Sequence, residues 1–287
     1  MKTSNPVLTR LGRAAERERT AGYAPAGPSG QPGYGPSGYG QPAYGQPGYG
    51  QQPYPTAEGY PAAPPTVQPM TVDDVVVKTI TLLAILGASA AAAWVLVPDA
   101  LLVPAWIGAA LLGLVLGLVI SFSRMANPAL VVTYAVIEGV FVGLASKVFE
   151  TLYSGIVLQA VVATFGVFFL MAILYKARAI RATPRFIRGV IAAMVGLLAV
   201  ILINFVLALF GINTGLRDGS PLAIGFSLVV IVVAALSFIL SFHEVEEGVR
   251  MGLPQRYSWL AAFGILVSLV WLYLEILRLL SYFQGDD

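Results

Sequence analysis

Apolar residues fall into seven long blocks along the C-terminal three-quarters of the chain, each closed off by proline, glycine or charge. A helix that crosses the hydrocarbon core of a bilayer needs about 20 apolar residues. The blocks 79–97, 104–122, 129–149, 155–175, 187–210, 221–242 and 257–281 reach that length. Prolines 98, 104, 128, 184, 221 and 254 mark the junctions, where a missing N–H is tolerated at a helix start or outside the helix. The pattern predicts an all-α polytopic membrane protein whose seven transmembrane helices occupy residues 73–287.

Residues 1–72 follow a different rule. Tyr34, Tyr39, Tyr44, Tyr49 and Tyr54 recur every five residues among Gly, Gln and Pro. A segment this poor in aliphatics buries too little surface to offset the entropy of ordering. Residues 21–70 are therefore expected to be disordered, within a tail that spans 1–72. The tail is either an adhesive tyrosine segment for partner docking or a passive extension. Ser4–Arg19, with Arg10, Arg13, Arg17 and Arg19, is expected to form a short surface helix that touches anionic lipid. Met1–Thr20 lacks an apolar core, so no cleavable signal peptide is expected.

Composition agrees with a chain that mostly meets lipid: 57% of residues are hydrophobic and 11% charged, against about 25% charged in soluble domains. There is no cysteine and one histidine, His243, which excludes disulfides, thiolate sites and His-cluster metal centres. The net charge of +2 is dispersed over loops, a distribution that does not fit nucleic-acid binding. With the N-terminus inside, 14 of the Lys and Arg residues lie on inner segments and only Lys147, Arg217 and Arg278 on outer ones. That asymmetry predicts a plasma-membrane protein with a cytoplasmic N-terminus and Gly285-Asp286-Asp287 outside. Gly113-x-x-x-Gly117 and Gly139-x-x-x-Gly143 are read as close helix packing.

Ionisable groups at helix centres cost about 2.5–3.5 kcal/mol each on insertion scales, so the few present are candidate site residues. Glu138 lies mid-span in the third block, as a cavity acid or a hydrogen-bonded packing residue. Asn204, in the fifth, is expected to hydrogen-bond between helices. Glu275 lies in the seventh with Arg278 one turn on, as an ion pair or as an acid that lines a polar path. His243, Glu244, Glu246 and Glu247 close the sixth, as a site or as a solvated helix end.

Enzymatic readings fail on residue types. His243-Glu244-Val245-Glu246-Glu247 lacks the second histidine of a zinc protease motif. No serine motif accompanies His243. No lysine in the last span offers a Schiff base for retinal.

Arg124-Met125-Ala126-Asn127-Pro128, followed by Tyr134-Ala135-Val136-Ile137-Glu138-Gly139-Val140-Phe141-Val142-Gly143, resembles the third-span signature of the Bax inhibitor family. Leu272-Tyr273-Leu274-Glu275-Ile276-Leu277-Arg278-Leu279-Leu280 is similar to its last span, where Glu275 stands at the usual Asp. Lys2–Leu8 and Glu246–Val249 look like an actinobacterial-type subgroup.

The resemblance implies six helices packed around a central C-terminal helix, and a pH-sensitive calcium leak gated by a carboxylate pair between the sixth and last spans. The last-span member carries over to Glu275, and the sixth-span position falls on His243 after Phe242, with Glu244 and Glu246 beside it. If the sixth helix ended at Phe242, His243 and Glu275 would differ in depth by roughly 15 Å at 1.5 Å per residue.

The leading expectation is a passive Ca²⁺ conduit in which Glu275, weakly coordinating, and Glu138 respond to protons. Transient Ca²⁺ is its only expected small partner, with no cofactor. The alternative is a non-conducting protein that regulates a membrane protease or stress response, in which tail and loops matter more than the buried acids. A substrate transporter is a third option, although no pair of broken helices marks a midplane site.

Overall fold

The computed structural model describes residues 68–123, 127–212 and 214–285. The chain divides into two units, 1–67 and 68–287. The expected surface helix, most of the expected tail, the Arg124–Ala126 part of the third-span signature and Asp286–Asp287 lie outside the described residues.

Among the described residues, seven helices are long and apolar enough to cross a membrane. They are α1 (Val72–Leu96), α2 (Leu102–Phe122, entered through the 3₁₀ turn Asp99–Leu101), α3 (Pro128–Leu152), α4 (Ile156–Lys176), α5 (Pro184–Leu209), α6 (Pro221–Arg250) and α7 (Tyr257–Gln284). The span count read from the hydrophobic pattern is the one observed. This is a multi-pass membrane protein.

Local signals set the helix starts. Thr71 and Asp74 form a reciprocal capping box, in which Asp74 N donates to Thr71 Oγ1 (3.1 Å) and Thr71 N to Asp74 Oδ2 (3.0 Å). These bonds satisfy donors that a helix start leaves orphaned, so α1 begins seven residues before the expected 79. Thr183 and Ser220 cap α5 and α6, each with proline at the first turn.

The expected end of the sixth span at 242 is corrected to Arg250. The polar run after Phe242 is helix-competent, and Arg250 pairs with Glu247 at 2.7 Å. The helix therefore continues past its apolar stretch until Gly252, at φ 63°, closes it in the left-handed conformation that glycine adopts most easily.

The packing also differs from the expected ring of six. α7 packs against α1, α3, α4 and α6, while α2 leans on α3 and α5 on α6. Four helices surround the central one and two stand outside. α2 and α5 carry few buried side chains and present mostly lipid-facing aliphatics, whereas α7 buries fifteen residues.

The α1–α3 crossing explains one small-residue motif. A Cβ on Gly139 would strike Leu86 O and Ser89 Oγ, and one on Gly143 would come within 2.7 Å of Ala90 Cα. Gly113 and Gly117 on α2 face side chains instead, the Glu138 carboxylate and the Tyr134 ring.

At the end of the bundle where α1 begins, residues 68–70, expected as tail, are ordered. Met70 N donates to Leu253 O (2.7 Å) and Gln255 N to Gln68 O (2.9 Å). Met70 is 3% exposed, against Gly248 and Leu253. Lys78 donates to Ser258 Oγ and lies over the Trp259 ring. This end carries most of the Lys and Arg residues and is called the basic end below.

Candidate functional site

The centre of the bundle holds a polar seam between α6 and α7. Ser227, Ser237 and Ser241 lie on α6 and Ser268 and Glu275 on α7. The two α7 groups are seven residues apart, two helical turns, and so share a face. Ser237 Oγ lies 3.3 Å from Ser268 Oγ, and Ser227 Oγ donates to Glu275 Oε1 at 2.8 Å. Glu275 is 2% exposed. Its other oxygen accepts from Arg278 Nη1 at 2.6 Å, so both carboxylate oxygens are engaged. A buried carboxylate is tolerable only with such partners.

Around this pair lie Arg217 and Asp218 in the α5–α6 loop and Tyr282 one turn beyond Arg278. The Tyr282 hydroxyl is buried without a hydrogen-bond partner among the described residues. On the α3 side, Ser146 Oγ and Tyr273 OH are 2.7 Å apart. Ser146 also donates to Val142 O, which leaves Tyr273 as donor in the pair.

The acids singled out in the sequence do not converge. Glu138 is half-buried between α3 and α2, hydrogen-bonded to Tyr134 one turn before it. Tyr134 packs edge-on against Phe263, whereas Ser146 meets Tyr273 further along both helices. Glu138 therefore lies roughly 15 Å from the level of Glu275.

His243 is sixteen residues from Ser227, the α6 residue that touches Glu275, which places it roughly 24 Å away along the axis. The longer α6 does not bring His243 to Glu275. His243, where the resemblance would place an acid, stays at the basic end, next in the chain to Phe242 of an aromatic cluster with Phe168 and Phe238. There His243 lines a cavity with Glu246, which accepts from the Tyr175 hydroxyl. Glu244 is exposed.

Asn204 on α5 accepts from Thr214 in the loop that follows that helix. Among the described residues, no group of three or more His, Asp and Glu is gathered to hold a metal ion.

The serines of the seam were not among the residues singled out from sequence. Their signal was present, since Ser268 and Glu275 are spaced for one helical face. Serine is common in membrane helices, however, and its partners on α6 become visible only once the register of α6 on α7 is known.

A seven-span helical bundle with a buried acid–arginine pair on its central helix defines the class. The family model described as Bax inhibitor 1 like matches residues 5–285, nearly the whole chain. The protein belongs to that family. No curated protein matches the chain.

Proposed function

We propose that this chain is a pH-sensitive passive cation leak of the plasma membrane, with Ca²⁺ as its principal ion, a cytoplasmic basic end and an external C-terminus. The observation that carries the reading is Glu275: a carboxylate buried on the central helix, tied to Arg278 and to Ser227 of α6 at one end of a hydroxyl seam. The ionised pair clamps α6 to α7. Protonation of Glu275 removes the charge that holds Arg278, and the guanidinium then swings outward toward Tyr282 and water. Acidification thereby loosens the clamp at the outer end of the seam. Calcium prefers six to eight oxygens. One carboxylate, a few hydroxyls and water bind it weakly, as rapid passage requires. Glu138 and His243 lie at other levels of the bundle and take no part in this clamp.

The test is Ca²⁺ flux into liposomes that hold the full chain, measured across neutral and mildly acid pH. Glu275→Gln mimics the protonated state, so flux should be high and independent of pH. A variant that keeps the wild-type pH profile would remove Glu275 from the gate.

A second reading, a non-conducting regulator of a membrane protease, draws on the clip at residues 68–70, which joins the end of the tail to the α6–α7 loop. Removal of residues 1–67 separates the two: a conduit retains flux, and a regulator loses its partner.

A further inference from the structure

At the basic end, a cavity of about 520 Å³ lies between the α4–α5 loop and α6, lined by Tyr175, Lys176, Arg178, Arg181, Thr183, His243 and Glu246 with two aliphatic side chains. Lys176, Arg178 and Arg181 form no ion pair among the described residues, although each is a strong donor. Glu247 holds Arg250, and Glu246, which accepts from the neutral Tyr175 hydroxyl, is one carboxylate against the three cations of the lining. The cavity therefore carries uncompensated positive charge.

The chain is shaped to present it. Arg178 adopts φ 56°, a left-handed conformation that is strained for a residue with a Cβ. Arg178 N donates to Tyr175 O and Ala179 N to Leu174 O, which closes α4 and turns the loop back across the cavity. Thr183 caps α5 at the far wall, with Phe186 N donating to its hydroxyl.

Below the cavity, α4 offers Phe169, Leu170 and Ile173, each more than half exposed. Phe169, Ile173 and Lys176 are spaced four and three residues apart and so share one helical face. An apolar stripe thus ends under a cationic pocket at the basic end of the bundle.

We propose that this cavity binds a phosphate-bearing anion, the headgroup of an acidic phospholipid whose acyl chain lies along the Phe169–Ile173 face. The phosphate oxygens accept from Lys176 and from the guanidinium forks of Arg178 and Arg181. A freely soluble phosphate would use the same donors but has no need of the apolar stripe.

Native mass spectrometry of the detergent-solubilised full chain, titrated with phosphatidylglycerol or phosphatidylcholine, tests the proposal. Wild type should retain phosphatidylglycerol at about a tenth of the phosphatidylcholine concentration. Lys176→Gln, Arg178→Gln and Arg181→Gln together should weaken that retention by about 100-fold. Arg185→Gln with Arg188→Gln, equally basic neighbours that do not line the cavity, should change it by less than about threefold.

Arg178→Gly removes one cation and relieves the left-handed strain, so its loss of lipid with an unfolding temperature that is unchanged or raised excludes misfolding as the cause. Retention by the triple variant, or equal loss in the Arg185 and Arg188 variant, would overturn the site. Displacement of the lipid by millimolar inorganic phosphate would overturn the lipid assignment in favour of a soluble phosphate.

Discussion

α5 and α7 are built from similar material and have opposite fates. Both are long apolar helices, yet α5 is the most hydropathic span and the least buried, whereas α7 carries Ser258, Ser268, Tyr273, Glu275, Arg278 and Ser281 and is the most buried. In water, apolar residues choose the interior. In lipid that preference vanishes, because the acyl chains are as apolar as leucine. What selects α7 for the centre is the set of groups that lipid cannot satisfy. Glu275 needs Arg278 and Ser227, Tyr273 needs Ser146, and Ser268 lies against Ser237.

The comparison breaks most sharply at the ion pair. Glu275→Ala leaves the three-quarters-buried Arg278 without its carboxylate, and removal of one partner of a buried pair costs about 3 kcal/mol. The matching change on α5, Asn204→Ala, removes a polar contact near the helix end and is expected to cost about 0.6 kcal/mol. Unfolding midpoints in detergent measure both. Glu275→Ala combined with Arg278→Ala should recover most of the loss, because no charge is then stranded. Equal effects at 204 and 275 would remove the distinction between the helices.

Backbone approach provides the next test. Gly143→Ala must push α1 away from α3, since the added Cβ meets Ala90 backbone, and overpacking costs about 1–3 kcal/mol. Gly196 on α5 has nothing within 4 Å of the added atom, so Gly196→Ala should stay within about 0.5 kcal/mol of wild type. Below these comes Tyr273→Phe. Its partner Ser146 keeps the bond to Val142 O, so no donor is orphaned, and the expected loss is about 0.6 kcal/mol. A loss several times larger would mean that the hydroxyl pair belongs to a wider network.

The same contrast explains what the sequence disclosed. Seven spans were legible because length and hydropathy report what lipid accepts, and Glu275 with Arg278 was legible because the two charges are one turn apart on one helix. The fate of His243 was not, because it depends on where α6 stops. The apolar pattern fades at Phe242, but helix formation does not depend on apolarity and continues through Glu246 and Glu247. The inner and outer ranks of helices were also hidden, since α2 and α5 look as strongly membrane-spanning as their neighbours. Ser227, Ser237 and Ser268 gain meaning only from partners on another helix. The order of residues 68–70 depends on a contact with Leu253 and Gln255, far along the chain.

The smallest effect lies where α5 passes into α6, outside the spans. Asp218 accepts from Ser220, through the hydroxyl first and then through the backbone N–H at 3.1 Å, and these bonds hold its carboxyl below the ordinary value of 3.8. A carboxyl whose folded value is depressed adds stability that is present above the unfolded value and is lost as pH falls through the folded one. Asp218 is exposed, and water screens what it contributes. Asp218→Asn should therefore lower the unfolding midpoint at neutral pH by less than Tyr273→Phe does. The gap between wild type and variant should hold above about pH 4 and close below it. A gap that stayed constant into that acid range would mean that the Asp218 charge contributes nothing, and that the shape of the turn before Ser220 alone sets where α6 begins.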